Sequence, residues 1–160
     1  MIYRIEVGYK KNILDALGES VNKDIHDLGI KKVSKVKSVQ IYKIDADLNF
    51  AQVDELCRKL LIDPITQEYL VNQPVEHEAA LPHILVEVWF KKGVTDAVGD
   101  TVITGARDLN IQGAINSVHT GTKYVLYGQK LTTQQAETIA RKLLANAIVQ
   151  DYNINQGKLA

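Results

Sequence analysis

The run from Asn49 to Gln73 is written a second time, from Thr132 to Gln156. Arg58-Lys59-Leu60-Leu61 returns as Arg141-Lys142-Leu143-Leu144, and Ile65, Gln67, Tyr69, Asn72 and Gln73 return as Ile148, Gln150, Tyr152, Asn155 and Gln156. So many identities in one constant register mark an internal duplication, and a fold for this chain has to be a fold for a pair. The 160 residues divide into two units of about 80. A unit that small buries only ~60% of its unfolded surface. Packing the copies against each other supplies the missing burial.

Composition narrows what the pair can bind. Nineteen basic and 19 acidic residues cancel, and no basic block stands out, so nothing electrostatic favours nucleic acid or an anionic membrane. Cys57 is the single cysteine, which rules out an internal disulfide and suits a reducing compartment. The opening residues alternate in polarity, and no uncharged run approaches the ~20 residues of a membrane span. The expected location is cytoplasmic.

Each copy opens on a strand. Ile5, Val7 and Tyr9 alternate with Arg4, Glu6 and Gly8, as Val86, Val88 and Phe90 alternate with Leu85, Glu87 and Trp89. The strands run into Lys10-Lys11 and Lys91-Lys92, read as solvated strand-end charges in preference to an anion site. Asp15 and Asp96 suit helix N-caps. The faces Leu17, Val21, Ile25, Leu28 and Val98, Val102, Ala106, Leu109 predict the helices, which Gly29 and Asn110 close. A β-rich segment follows, Val33 to Ala46 and Ile115 to Gly128. Its pattern breaks near Ser38–Gln40 and Thr120–Thr122, which fits either a hairpin or one bulged strand. Asn49-x-x-Gln52 and Thr132-x-x-Gln135 read as capping boxes. They open helices with the stripes Val53, Leu56, Cys57, Leu60 and Ala136, Ile139, Ala140, Leu143. Last strands are expected at 66–71 and 149–154.

The expected fold class is therefore α+β, with each repeat running β-α-β(β)-α-β and laying two helices on one face of an antiparallel sheet. The repeats span 1–73 and 84–156, joined by a linker at 74–83 and followed by a tail at 157–160. They pack as an intramolecular pseudo-dimer, and joining sheet edges would hide open strands.

The residues assemble no catalytic constellation. Thr120-Gly121-Thr122-Lys123 lacks the upstream glycine of a phosphate loop and falls in a strand region. His26, His77, His83 and His119 show no metal-ligand spacing. Cys57 sits on an apolar stripe where the other copy has Ala140, which reads as core. Glu6 and Glu87 recur on the polar side of the first strand and read as surface or interface salt bridges. Trp89 stands where copy one has Gly8, so any role it has belongs to one copy. Tyr69 and Tyr152 suit interface anchors or core packing equally. No catalytic, cofactor-binding or metal-binding residue is assigned.

Each copy resembles PurS, the small subunit of phosphoribosylformylglycinamidine synthase. The resemblance rests on Lys10 to Asp15 with Gly18, and Lys91 to Asp96 with Gly99. It continues through Gly121-Thr122-Lys123-Tyr124 and closes on Ile139 to Asn146 and Ile148 to Tyr152. Copy one diverges further, with Val39-Gln40-Ile41 and Ile62-Asp63-Pro64 at the matching places. The resemblance implies a non-catalytic bridging component of an ATP- and glutamine-dependent ligase, in tandem form. It would be either free-standing or the front of a longer synthetase chain. Its implied partners are a synthetase (PurL-like) and a glutaminase (PurQ-like) component. ATP and magnesium would belong to the synthetase, with no cofactor in this chain, and further oligomerisation stays open. The competing reading is a tandem regulatory module that binds a small metabolite between its repeats.

Overall fold

The computed structural model describes residues 1–156, so the expected tail at 157–160 lies outside the described residues. Copy one forms β1 (Ile2–Tyr9), α1 (Ala16–Asp27), β2 (Lys35–Ala46), α2 (Phe50–Leu56) and β3 (Gln67–Val71). Copy two forms β4 (His83–Phe90), α3 (Ala97–Asp108), β5 (Ile115–Tyr127), α4 (Thr133–Ile139) and β6 (Gln150–Gln156). The strands make one six-stranded sheet in the order β3-β1-β2-β5-β4-β6, antiparallel at every junction. This is the α+β class, with the sheets of the two repeats merged through β2 and β5.

The question of hairpin or single strand resolves the same way in both copies. β2 and β5 are single long strands, paired from Lys35↔Tyr127 to Ala46↔Ile115. Their one register shift lies at Asp45/Ala46, away from the two places where the pattern breaks. Those breaks have another cause. Asp15 caps α1 by accepting from the Gly18 amide at 2.9 Å, and it also accepts from the Ser38 amide at 2.6 Å and hydroxyl at 2.8 Å. Asp96 does the same with Gly99 at 2.9 Å and with the Thr120 amide and hydroxyl at 2.6 and 2.8 Å. A polar residue on the helix side of each strand is thus the anchor that ties a helix start to the sheet.

This tie also corrects the expected helix faces. Gly18 and Gly99 press on the sheet so closely that an added Cβ would lie 2.4 Å from the Val36 carbonyl oxygen and 2.5 Å from that of Val118. The buried faces become Gly18, Val21, Ile25 and Gly99, Val102, Ala106, while Leu17, Leu28, Val98 and Leu109 are exposed. Gly29 (φ 92°) and Asn110 (φ 55°) end the helices in the left-handed conformation, as their residue types predict.

Both capping boxes form, at Asn49/Gln52 and Thr132/Gln135. Each second helix then widens into a π turn, Cys57–Leu61 and Ala140–Leu144, closed by i→i+5 bonds from Ile62 to Cys57 at 3.2 Å and from Ala145 to Ala140 at 3.0 Å. The extra residue per turn rotates the stripe. Leu61 and Leu144 are buried where Leu60 and Leu143 are expected to be, and those two pack at the margin instead. The turns into β3 and β6 match despite Pro64 in one and Ala147 in the other. The Ile65 amide bonds Asp63 Oδ1 at 2.9 Å, and the Ile148 amide bonds Asn146 Oδ1 at 3.1 Å.

All helices cover one face of the sheet, and the cores beneath them are shared between copies. One core joins Val21 and Ile25 of α1 to Ile84, Val86 and Val88 of β4 and to Ala136 and Ile139 of α4. The other joins Val102 and Ala106 of α3 to Tyr3, Ile5 and Val7 of β1 and to Val53, Leu56 and Cys57. Each first helix therefore crosses the pseudo-two-fold axis and closes the other copy's core.

Candidate interaction surface

The opposite face of the sheet carries no helix. β1 presents Arg4, Glu6 and Gly8 there, β2 presents Val39, Ile41 and Lys43, β5 presents His119, Gly121 and Lys123, and β4 presents Leu85, Glu87 and Trp89. The segment between β3 and β4 crosses part of it. Val75 is buried, with its methyl 2.9 Å from where a Cβ on Gly8 would stand, and the Glu78 carboxylate pairs with Lys35. Hydrogen bonding to Lys35 holds the Glu78 pKa below the usual glutamate value. The linker is thus packed in its first half, and β4 begins at His83, the last residue of the span expected as linker. His83 is buried beside Tyr127.

Under that crossing lies a network of charges. Lys123 Nζ is 2.5 Å from Glu6 Oε1, and both side chains are 2–3% exposed. Glu6 also accepts from Arg4 Nη2 at 2.8 Å, from Arg4 Nε at 3.0 Å and from the Val75 amide at 3.1 Å. Arg4 reaches on to Glu87, which accepts as well from the Trp89 indole N–H at 3.3 Å. Burial weighs against the charged Arg4, but the bonds from Glu87 and Glu6 outweigh it and raise its pKa above the usual arginine value. The matched carboxylates therefore belong to one network spanning both copies, and Glu6 is buried where the alternation places it on a polar face. Nothing in the local sequence signals this, because the cover comes from the distant linker.

The two halves of this face differ in a paired way. Gly8 of β1 lies beside Val39 of β2, whereas at the matching places Trp89 of β4 lies over Gly121 of β5. A Cβ on Gly121 would meet the indole at 2.8 Å. Each half thus has one large and one bare position, exchanged between neighbouring strands. Two related clefts result. One, of about 320 Å³, runs from Gly8 and Lys11 past Lys37 and is bordered by Val75, His77 and Glu78 of the linker. The other, of about 620 Å³, runs from Trp89 and Lys92 past His119 to Arg4 and Lys43, with no linker residue among its walls.

The remaining residues singled out by sequence are structural. Cys57 is fully buried, and desolvation pushes its thiol up to about 12. Tyr69 and Tyr152 pack at the margins of the two cores and donate to Asp54 and Glu137 of the neighbouring helices. His26 Nε2 lies 2.7 Å from the Val33 carbonyl oxygen, and His77 Nε2 lies 2.7 Å from Glu68. Among the described residues no three His, Cys, Asp or Glu side chains are placed to share a metal, and no helix is long and apolar enough to cross a membrane.

Comparison with known proteins agrees with the duplication. The family model described as PurS, phosphoribosylformylglycinamidine (FGAM) synthase, matches twice, over residues 2–74 and 83–157. The FGAM synthase subunit PurS of Archaeoglobus fulgidus is 32% identical over 76 residues, which cover 44% of this chain and 95% of that one. The PurS subunit of Thermotoga maritima is 27% identical over 77 residues, covering 44% and 93%. The chain is also similar to Methanocaldococcus jannaschii PurS, a subunit of formylglycinamide ribonucleotide amidotransferase in the purine biosynthetic pathway. That solved structure is 24% identical with a TM-score of 0.42, over 47% of this chain and 98% of that one.

Proposed function

The chain belongs to the PurS family, and from that premise we propose that it is a non-catalytic bridging component of FGAM synthase in cytoplasmic purine biosynthesis. In this reading it joins a glutaminase component to an ATP-dependent synthetase component, and ammonia released from glutamine passes between those two. The chain itself carries out no step of the reaction. Repeat 1 (1–73) and repeat 2 (84–156) act as one unit.

The observation that carries this reading is the way the two matched segments combine. They share a continuous sheet through β2 and β5, and each contributes its first helix to the other's core. Such a body resists bending between its halves. It also has two related but unequal ends, because Gly8, Ile41 and Val125 on the helix-free face are answered by Trp89, Lys123 and Lys43. Unequal ends suit a bridge between two different proteins better than identical ones would. Glu6 on this face is fully partnered and the Cys57 thiol is buried in the core on the other side of the sheet, so neither acts as a free base or nucleophile, in keeping with a scaffold.

The test is analytical size-exclusion of the purified chain with the synthetase and glutaminase subunits, glutamine and Mg-ADP. Co-elution of all three, with glutamine-dependent FGAM synthesis restored by adding the chain, is the expected result. A chain that elutes alone from every mixture and leaves synthesis unchanged overturns the proposal.

A further inference from the structure

The larger cleft on the helix-free face has a charge pattern the bridging reading leaves unused. Arg4, Lys43 and His119 stand opposite one another across β1, β2 and β5, in the registers Arg4↔Lys43 and Lys43↔His119. Arg4 and Lys43 are like charges directly opposite on neighbouring strands, an arrangement that destabilises a sheet. Arg4 is neutralised by Glu6 and Glu87, but among the described residues Lys43, His119 and nearby Lys92 have no carboxylate within 4 Å. At the far end Lys91 is 3.9 Å from Asp151. The matching row in the other half reads Leu85, Val125 and Lys37, so this row belongs to one cleft alone. The lysines of the other cleft are Lys10, Lys11, Lys35 and Lys37, of which Lys35 is paired with Glu78.

The molecule itself shows what the related cleft holds. There an irregular, acidic stretch of chain runs along the groove and forms one wall of it, with Val75 on Gly8 and with Glu78 paired to Lys35 and under the field of Lys37 and Lys11. In the larger cleft Lys92 and His119 stand at the places of Lys11 and Lys37, and Trp89 fills the space above the sheet that Val75 takes over Gly8. The apolar contact is thus supplied by Trp89, and Lys43, Lys92 and the His119 imidazole are left open. Strands lie about 4.8 Å apart, so the row from Arg4 to His119 spans about 10 Å. That spread suits successive carboxylates on a polypeptide better than one compact anion, which needs cations converging on a point.

Resting on the bridging reading, we propose that this cleft docks an extended acidic segment of a partner polypeptide, its carboxylates on Lys43, Lys92 and His119 and its backbone against Trp89.

Trp89 is the only tryptophan and reports directly on the cleft. The probe is an end-capped ten-residue peptide of alternating Glu and Ser, titrated into the full chain at low salt. Trp89 emission is expected to change saturably, with the apparent Kd rising at least tenfold in Lys43→Glu/Lys92→Glu. Lys23→Glu/Lys142→Glu, the same charge change on exposed helix-side residues, should stay within about twofold of the parent. All four positions are exposed, and circular dichroism with a thermal melt checks that each variant folds. A Gln/Ser peptide that binds equally well, or cleft variants that bind like the parent, overturns the proposal. So does inorganic phosphate displacing the peptide at concentrations well below those the peptide needs, which makes this a small-anion site. If the chain ignores the peptide yet assembles with the synthetase and glutaminase, the cleft proposal falls and the bridging role stands. Peptide binding without assembly would support the cleft and remove the bridge.

Discussion

The ammonium of Lys123 on β5 lies 2.5 Å from the carboxylate of Glu6 on β1, and in the matching place of the first copy there is no lysine but Ile41. Glu87, the counterpart of Glu6, would face an apolar side chain if nothing else had changed. Arg4 compensates by bridging Glu6 and Glu87, and its own counterpart in copy two is the apolar Leu85. The duplicated pair has thus been rebuilt as one asymmetric network with every carboxylate partnered. The exchange of Gly8 and Val39 for Trp89 and Gly121 follows the same course in shape instead of charge.

That network sets a stability test. Removing one member of a buried ion pair costs about 3–5 kcal/mol, because the remaining charge is left without compensation. Arg4 still reaches Glu6 when Lys123 is gone, so Lys123→Met is expected at the low end, about 3 kcal/mol. In Glu6→Gln/Lys123→Met the uncompensated charge is removed, and the loss should fall short of the summed single losses by about 2 kcal/mol. Urea denaturation of the four proteins in this cycle measures the coupling. Additive losses would mean that Lys123 and Glu6 act independently.

The glycines under the first helices make a second test. Gly18→Ala sets a methyl 2.4 Å from the Val36 carbonyl oxygen, and Gly99→Ala sets one 2.5 Å from that of Val118. Backbone cannot yield as a side-chain tip can, so the helix has to lift and loosen its Asp cap. We expect a loss of about 2–3 kcal/mol for each substitution. Gly29→Ala meets nothing within 4 Å and has only its φ of 92° to strain, which costs about 1 kcal/mol. Thermal melts should rank the three in that order.

These glycines also show how far the sequence could be read. The duplication, the strands, the Asp15 and Asp96 caps and both capping boxes are written locally, as spacing and residue type. What Ser38, Thr120, Gly18 and Gly99 do is not local, because it depends on which strand passes under which helix. Periodicity alone sends Leu17 and Leu28 inward, while the contact between the Gly18 backbone and β2 turns them out. The π turn at Cys57–Leu61 carries no residue-type signal, so the stripe is misplaced by one position after it. Burial of Glu6 comes from a linker nearly 70 residues away in sequence, whose Val75 amide it accepts.

Cys57 gives a pH prediction. Its thiol is held at about 12 in the folded chain by burial, against an ordinary value of 9.0. Above that ordinary value the unfolded chain loses the proton while the folded chain keeps it, so the unfolded state binds fewer protons and stability falls. The contribution is complete below about pH 9 and is lost progressively as pH climbs toward the folded value. In Cys57→Ala, which matches Ala140 of the second copy, that part of the alkaline decline should be missing, whatever the change at neutral pH. At pH 8 a thiol reagent should label the parent only after denaturant is added. Rapid labelling of the folded chain would contradict the burial of this residue.

The interlocked cores make the last prediction. α1 is placed to cover β4 and α4 of the other copy, and α3 to cover β1 and α2, so neither repeat owns a complete core. A cut between Ala79 and Ala80, both outside the cores, removes only the covalent link and leaves the β2–β5 ladder intact. Residues 1–79 and 80–160, produced together from separate reading frames, should therefore co-purify as a 1:1 complex with the parent's circular dichroism spectrum. Stability should become concentration-dependent, as it does for any dimer whose monomers do not fold alone. Produced singly, each half has two choices. It can pair with a second copy of itself, which for the first half brings two Ile41 side chains to the place of the Lys123–Glu6 pair and leaves both Glu6 carboxylates without lysine. Otherwise it stays unfolded. The second half brings two copies of Lys123 to two of Glu87 and keeps both charges partnered, so it should self-associate more readily than the first. Sedimentation of the three preparations decides the matter: a folded monomer from either half would show that the shared cores are dispensable.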